Sequence, residues 1–354
     1  MISLFRASGF RCLSDVELSL HPKFNLICGK NASGKTSALE ALAYLGRGRS
    51  FRGASTDNLL KHGDKEFILY GETESSGRKT SIGVKNGING LETRISGKNG
   101  EGVKSLIELL PLQIIDPEIH SLISGGPERR RQYIDWVAFH VEQSYLLLWR
   151  KYKRTLKQRN AALKSKSKSS VVHGWDKDFI ELANNISESR QKALSLITDN
   201  LKNIGHQLIG VDFSFEYYKG WSSKKNLETA LSDNFDRDLL FGTTQLGPHR
   251  ADLKVSCSEH QARKLISRGQ QKLLASTMVL AATNTVQSIL EKPLLLLLDD
   301  PAAELDFESV SKLLKCVSSL NCQVVATSIN QEIERFFEVS RMFHVEQGVI
   351  SEHR

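Results

Sequence analysis

Ser267-Arg268-Gly269-Gln270-Gln271 opens the stretch that decides the fold. A helical run follows from Lys272 to about Ile289, then Leu294-Leu295-Leu296-Leu297-Leu298-Asp299-Asp300, then Glu304-Leu305-Asp306. Five consecutive leucines suit a strand buried on both faces of a parallel sheet. Carboxylates at the C-terminal end of such a strand stand where open α/β sheets bind ligands. Two readings compete for the segment before the helix. Ser267 would serve as an N-cap in any protein. Alternatively Ser267, Arg268, Gly269, Gln270 and Gln271 form an anion site at the helix N-terminus that a second subunit's ligand completes.

More than 230 residues upstream lies Gly29-Lys30-Asn31-Ala32-Ser33-Gly34-Lys35-Thr36, which fits G-x4-G-K-[ST]. It follows the apolar segment Phe24–Cys28 and precedes a helical pattern over Ser37–Leu45, the context a phosphate-binding loop requires. Gly29 and Gly34 let the backbone curl. The N–H groups of the loop, Lys30, Asn31, Ala32 and Ser33 among them, can then face a phosphate at the positive end of the helix. Lys35 can bridge the β- and γ-phosphates of ATP, and the Thr36 hydroxyl can ligate Mg²⁺. With such a loop in the chain, Asp299 becomes the second Mg²⁺ partner and Asp300 a candidate base for the attacking water. The plainer alternative is an acidic pair that ends a strand and caps a turn. Taken in order, the motifs predict ATP closed over by a second subunit, a dimerisation switch.

The bulk properties are compatible with that reading and narrow it little. The chain has 354 residues and a net charge of +8, enough for two or three domains and suited to an acidic partner. Cys12, Cys28, Cys257, Cys316 and Cys322 form no CxxC pair, which predicts reduced thiols and no zinc site. No signal peptide is expected at the N-terminus, and no unbroken apolar run approaches the ~20 residues of a membrane span. A cytoplasmic, nucleoid-associated protein with no membrane partner is the expectation.

Residues 1–110 read as strand-rich, with Phe67–Gly71 and Thr80–Val84 between turn residues. Helical spacing takes over from Arg129 to Leu163. After a Lys/Ser-rich break at 164–170 it resumes through Phe179, Leu182, Ile186, Ala193, Ile197, Leu201, Ile204 and Leu208. These patterns suggest a helical arm inserted into a nucleotide-binding domain, or an ordinary helical subdomain. Strands return near Phe213–Tyr217, and a terminal hairpin is expected over Arg341–Ile350. The predicted class is α/β: a P-loop ATPase domain, a mixed sheet with flanking helices, carrying an inserted α-helical arm. The expected divisions are 1–112, 113–234 and 235–354.

Together these motifs resemble the RecF family of recombination-mediator ATPases, relatives of the SMC and ABC-type ATPases. Further segments carry the resemblance over essentially the whole chain: Gly9-Phe10-Arg11, Gly46–Arg52, Leu110–Glu118, Gly125-Gly126-Pro127 with Arg130-Arg131, Asp135-Trp136, Leu156–Leu163 and Gly247–Leu253. The resemblance implies an ABC-type P-loop ATPase head that dimerises on binding ATP and separates after hydrolysis. It implies binding to single-stranded, gapped or junction DNA in repair, replication, recombination and the SOS response. RecO- and RecR-like partners would help place a RecA-like recombinase. By position, Gln113 looks like the loop glutamine that senses Mg²⁺ and the γ-phosphate. Glu304 and Asp306 look like the loop crossing the dimer interface, and Arg11 like a neighbour of the nucleotide. Two departures from ABC transporters argue for a slow, DNA-stimulated ATPase. Asp300 stands where transporters usually have glutamate, and Thr327 and Ser328 where they have a switch histidine. A non-catalytic ATP-gated clamp or scaffold is the alternative.

Between Arg150 and Lys168 there are nine Lys/Arg and no Asp/Glu. This run, with Lys153, Lys157 and Lys164 as candidate DNA contacts, could track phosphates; a solvated helix face is the plainer reading. Arg47, Arg49 and Arg52 form a second basic patch that would bind DNA or brace the nucleotide. His249, Arg250 and Asp252 cluster without an assignable role.

Overall fold

The computed structural model describes residues 1–75, 77–257, 260–329, 332–337 and 340–353. The chain divides into two compact units, Met1–Ile119 with Ser276–Arg354, and His120–Ala275. The first unit is therefore discontinuous. The boundary expected at 234/235 falls at 275/276, and that expected at 112/113 falls at 119/120.

The first unit holds two six-stranded sheets. One is antiparallel throughout and runs in the order Leu13–Ser19, Ile2–Phe10, Glu66–Ser75, Arg78–Gly87, Glu92–Ile95, Lys98–Asn99. The other runs Val349–His353, Ser340–Glu346, Phe24–Cys28, Gln323–Ser328, Leu295–Leu298, Leu112–Ile115; only its first pair is antiparallel. Phe24–Cys28 and Leu295–Leu298 are buried at every residue, which accounts for their unbroken apolar sequence. Helix Lys35–Arg47 packs against strands of both sheets, and Ala38, Leu39 and Ala41 to Leu45 are buried. Gln323 ties the sheets together. Its Oε1 accepts from the Ile2 N–H at 2.8 Å, and its Nε2 donates to the carbonyls of Ile2 and His21 at 2.8 and 2.9 Å.

The second unit is mainly helical: Pro127–Val141, Tyr145–Lys164, Ser169–His173, Asp176–Ile209, Leu227–Asp233 and Phe235–Phe241. Asp176–Ile209 buries Phe179, Ala183, Ile186, Ala193, Ile197, Leu201, Ile204 and Leu208 along one stripe; the expected Leu182 is half-buried and its neighbour Ala183 faces the core instead. Strands Phe213–Tyr218 and Asp252–Cys257 pair with each other and with His260–Gln261 in a separate sheet. This pairing keeps residues 235–275 in the helical unit: the strand pattern that resumes at Phe213 belongs to a local sheet, not to the nucleotide-binding one.

Two fully buried arginines fasten this unit. Arg159 donates to Asp176, Asp238 and Thr244, each at 2.8 Å. Arg190 grips both oxygens of Asp135, at 2.7 and 3.1 Å, and the Pro248 carbonyl at 2.8 Å. Arg130 makes the same fork with Asp252 at 2.7 and 3.2 Å, which gives Asp252 a structural role. His249 Nε2 lies 2.9 Å from the Thr244 carbonyl and Nδ1 lies 2.6 Å from the Tyr152 hydroxyl. A carbonyl can only accept, so Nε2 carries the proton and Nδ1 accepts from Tyr152.

Candidate nucleotide site

The glycine-rich loop spans the gap between strand Phe24–Cys28 and helix Lys35–Arg47, at the C-terminal edge of the sheet. Gly34 adopts φ +116°, a conformation that favours glycine. At Gly29 a Cβ would lie 2.4 Å from the Val345 carbonyl oxygen, so the close approach of two backbones excludes any side chain. Lys30, Asn31 and Ala32 are exposed, while Ser33 and Lys35 are buried. Lys35 folds across the loop and donates to the carbonyls of Gly29 and Lys30 at 2.7 and 2.9 Å.

Opposite the loop, the register of adjacent strands brings three groups together. Leu298 pairs with Ala326, so Asp299 and Thr327 follow on neighbouring strands. The Thr36 hydroxyl donates to Asp299 Oδ1 at 3.0 Å and the Thr327 hydroxyl donates to the same oxygen at 2.8 Å. The Asp300 N–H donates to Thr327 Oγ1 at 3.0 Å, and Asp300 sits at φ +46°, in the left-handed region. Burial pushes the Asp299 carboxyl pKa upward; hydrogen bonds from Thr327 and Thr36 oppose that, the nearby Asp300 charge adds to it, and the Arg52 charge opposes it. Gln113 lies in the next strand, paired with Leu296, and its Oε1 accepts from Arg47 at 3.4 Å. Arg47 also donates to the Leu112 carbonyl at 3.1 Å, and burial with the adjacent Arg49 charge lowers its pKa to about 10. Lys35, Thr36, Asp299, Asp300, Gln113 and Thr327 therefore share the first unit.

The chemistry of the site fits a magnesium nucleotide. Ser33 Oγ is buried with no hydrogen-bond partner, the condition of a donor awaiting a phosphate oxygen. Lys35 rests on neutral carbonyls that an anion would outcompete. Asp299 is a buried carboxylate whose ionised form a cation would favour. Among the described residues no cluster of three or more His, Cys, Asp or Glu could hold a metal alone.

The remaining candidates divide. Arg11 makes a bidentate pair with the fully buried Glu40, at 2.5 and 3.1 Å, and Glu40 also accepts from Ser50. Arg11 thus anchors the turn after strand Ile2–Phe10 to the loop's own helix. Ser328 is buried within its strand. Asp306 caps helix Phe307–Ser319, accepting from the Ser309 N–H and hydroxyl, each at 2.9 Å. Those bonds, the backbone one first, lower its pKa. Glu304 stands at φ +64° in the preceding turn. Ser267 and Gln270 form a reciprocal capping box: Gln270 N–H donates to Ser267 Oγ at 3.3 Å, and Ser267 N–H to Gln270 Oε1 at 3.0 Å. Gln271 turns inward onto the Ile266 carbonyl at 3.1 Å, whereas Ser267, Arg268 and Gln270 are exposed. This segment begins helix Arg268–Leu290 and lies in the second unit up to Ala275. Lys153, Lys157 and Lys164 are exposed on helix Tyr145–Lys164, with Arg150 and Arg154 on the same face. Arg159 faces the opposite way, so one of the nine cations in that run is structural.

The bracing residues Glu40 and Arg47 are those the sequence reading missed or left undecided. The only signal was the cluster Arg47, Arg49 and Arg52 at the end of the loop's helix.

Comparison with known proteins agrees over the whole chain. The family model described as RecF/RecN/SMC N terminal domain matches residues 1–351. The DNA replication and repair protein RecF of Salmonella newport (strain SL254) is 36% identical over 347 residues, covering 97% of each chain. RecF of Shewanella baltica (strain OS223) is also 36% identical over 347 residues, 97% of this chain and 96% of its own. The fold is similar to a solved structure of the recombination mediator protein RecF with ATP in the RecFOR pathway, with TM-score 0.89 at 24% identity over 100% of this chain and 97% of that one. An Smc head bound to the C-winged helix domain of ScpA gives TM-score 0.61 at 16% identity over 99% and 96% of the two chains. These likenesses establish an ABC-type head fold of the SMC/RecF kind.

Proposed function

The chain belongs to the RecF family, and from that premise we propose that it is an ATP-gated, DNA-binding recombination mediator acting in DNA repair and replication. The observation that carries this reading is the Thr36–Asp299–Thr327 bond network facing a phosphate loop with an unpartnered Ser33 hydroxyl.

In this reading the loop N–H groups and Ser33 Oγ take the β-phosphate, and Lys35 exchanges its two carbonyls for phosphate oxygens. Thr36 and Asp299 would hold Mg²⁺, which would supply charge neutralisation to the bound phosphates. Asp300 accepts a proton from the attacking water, and Gln113, oriented by Arg47, contacts the γ-phosphate side. Ser267–Gln271 of one subunit closes the site of another, with Glu304 and Asp306 at the same interface, so ATP joins two copies. Hydrolysis is slow for two reasons. Asp300 has a shorter reach than glutamate, and the hydroxyl at Thr327, where a transporter has its switch histidine, is already committed to Asp299. The exposed basic face of helix Tyr145–Lys164 holds phosphates of single-stranded, gapped or junction DNA, which raises turnover. RecO- and RecR-like partners then help place a RecA-like recombinase.

Asp300→Asn tests the reading. The variant retains ATP, accumulates as a dimer by light scattering and loses turnover. A wild-type protein that neither hydrolyses ATP nor changes mass with it would sink the switch; one that dimerises without hydrolysis would make it a passive clamp.

A further inference from the structure

The helical unit carries an exposed apolar corner that none of the contacts described so far uses. Leu240 is 80% exposed and Phe241 58% exposed, at the end of helix Phe235–Phe241. The opposite side of that short helix is committed: Phe235 and Leu239 pack on Ala162, Leu163 and Val172, and Asp238 is buried against Arg159. The segment beyond it is fixed as well. Thr244 N–H and hydroxyl both donate to Asn160 Oδ1, at 2.8 and 2.7 Å. Gly242 turns the chain at φ +62°, and a Cβ there would lie 3.5 Å from Lys164 Cα. Leu240 and Phe241 are thus held out from a rigid support, beside the C-terminal end of the basic helix.

The charge around the corner is positive. The Arg237 guanidinium lies 5.8 Å from the centroid of the Phe241 ring. Lys164, Lys166 and Lys168 are exposed in the adjoining turn, and the face holding Arg150, Lys153, Arg154 and Lys157 leads up to it. Asp236 is the one exposed acid between residues 234 and 243. A protein partner would need acids against all these lysines, whereas a nucleic acid supplies phosphates and flat apolar bases together. Aromatic rings flanked by cations bind single strands in this way, the ring stacking on a base while the cations follow the backbone.

We propose that Phe241, with Leu240 beside it, is a stacking platform for an unpaired DNA base at the end of the phosphate track on helix Tyr145–Lys164. Paired bases keep their faces occupied in the duplex, so the platform favours single-stranded or gapped DNA over blunt duplex. The proposal rests on the DNA-binding reading above and adds to it a site that distinguishes the two forms.

The test uses the full chain with ATP and Mg²⁺, and fluorescein-labelled oligo(dT), gapped duplex and blunt duplex. Phe241→Ala weakens oligo(dT) and gapped DNA about tenfold and leaves blunt duplex within about twofold, the range expected for losing one stacked base. The slope of log affinity against log salt stays the same, because stacking releases no counterions. Phe241→Trp restores affinity, and its indole emission is quenched by oligo(dT). If Phe241→Ala binds oligo(dT) like wild type, the platform is refuted while the DNA-binding reading stands. Loss of ATP-dependent dimer mass in Phe241→Ala with unchanged DNA affinity would make the corner a protein interface and refute it too. A wild type that binds none of the three DNAs overturns both.

Discussion

Thr327 shows how one hydroxyl can set the geometry of two carboxylates. It donates to Asp299 and accepts from the Asp300 N–H, and so holds Asp300 in a backbone conformation that a non-glycine residue seldom adopts. Thr327→Val keeps the shape and removes both bonds. Leaving a buried carboxylate and amide short of a partner costs about 1–3 kcal/mol, so turnover should fall about tenfold or more while ATP affinity changes little. Thr327→Ser should recover most of the rate. Steady-state ATP hydrolysis with a Mg²⁺ titration measures this; equal losses in the two variants would assign Thr327 to packing. Both residues were visible in the sequence, each at the end of an apolar run. Their contact was not, because it depends on the rung at which Leu298 meets Ala326. Spacing within one strand says nothing of register between strands.

Among elements, the long helices were the most legible. A stripe repeating every three to four residues gave Asp176–Ile209 nearly to its ends. In the small sheet, Phe213–Tyr218 was read within the insert but Asp252–Cys257 was not, since a strand announces itself locally but its partner lies about forty residues away. Likewise Arg159 looks like any other cation of its run until Asp176 and Asp238 fold against it. His249 belongs to the same fabric. Burial, with the charges of Arg250, Arg131 and Lys153 against it, lowers its pKa to about 4, although the bond to Thr244 works the other way. The unfolded chain takes up this proton near pH 6.5, so stability from a neutral His249 is complete above that pH. It is lost progressively as the pH falls towards 4, by about 3 kcal/mol from this group. Urea midpoints measured from pH 7 to pH 4 should fall more steeply for wild type than for His249→Gln. Parallel curves would contradict the assignment.

On the scale of the molecule, the edges of the two compact units were not legible in the sequence. Helix Arg268–Leu290 contains the boundary, and a boundary inside an unbroken helix leaves no glycine, proline or polar break to mark it. That helix is also long and apolar enough, by length and composition, to cross a bilayer. Yet 72% of its most apolar window is buried in the protein, as in a core helix. The exposed cations of Tyr145–Lys164 act at this scale through the field they share. Reversing Lys153, Lys157 and Lys164 to glutamate should weaken DNA binding and flatten its salt dependence by about two to three in slope. Unchanged titrations between low and high salt would remove this helix from the interface. The discontinuous first unit has a further consequence, for the order of events during synthesis. The strand that leads into the phosphate loop, Phe24–Cys28, is flanked by Gln323–Ser328 on one side and Ser340–Glu346 on the other. No nascent chain ending before residue 323 possesses either neighbour. The loop emerges early from the ribosome and must wait for nearly the whole chain before its sheet can close, while residues 120–275 already have their own partners. A ribosome stalled after residues 120–275 have emerged but before residue 323 is made would therefore display a folded arm and a phosphate loop with no sheet to hold it.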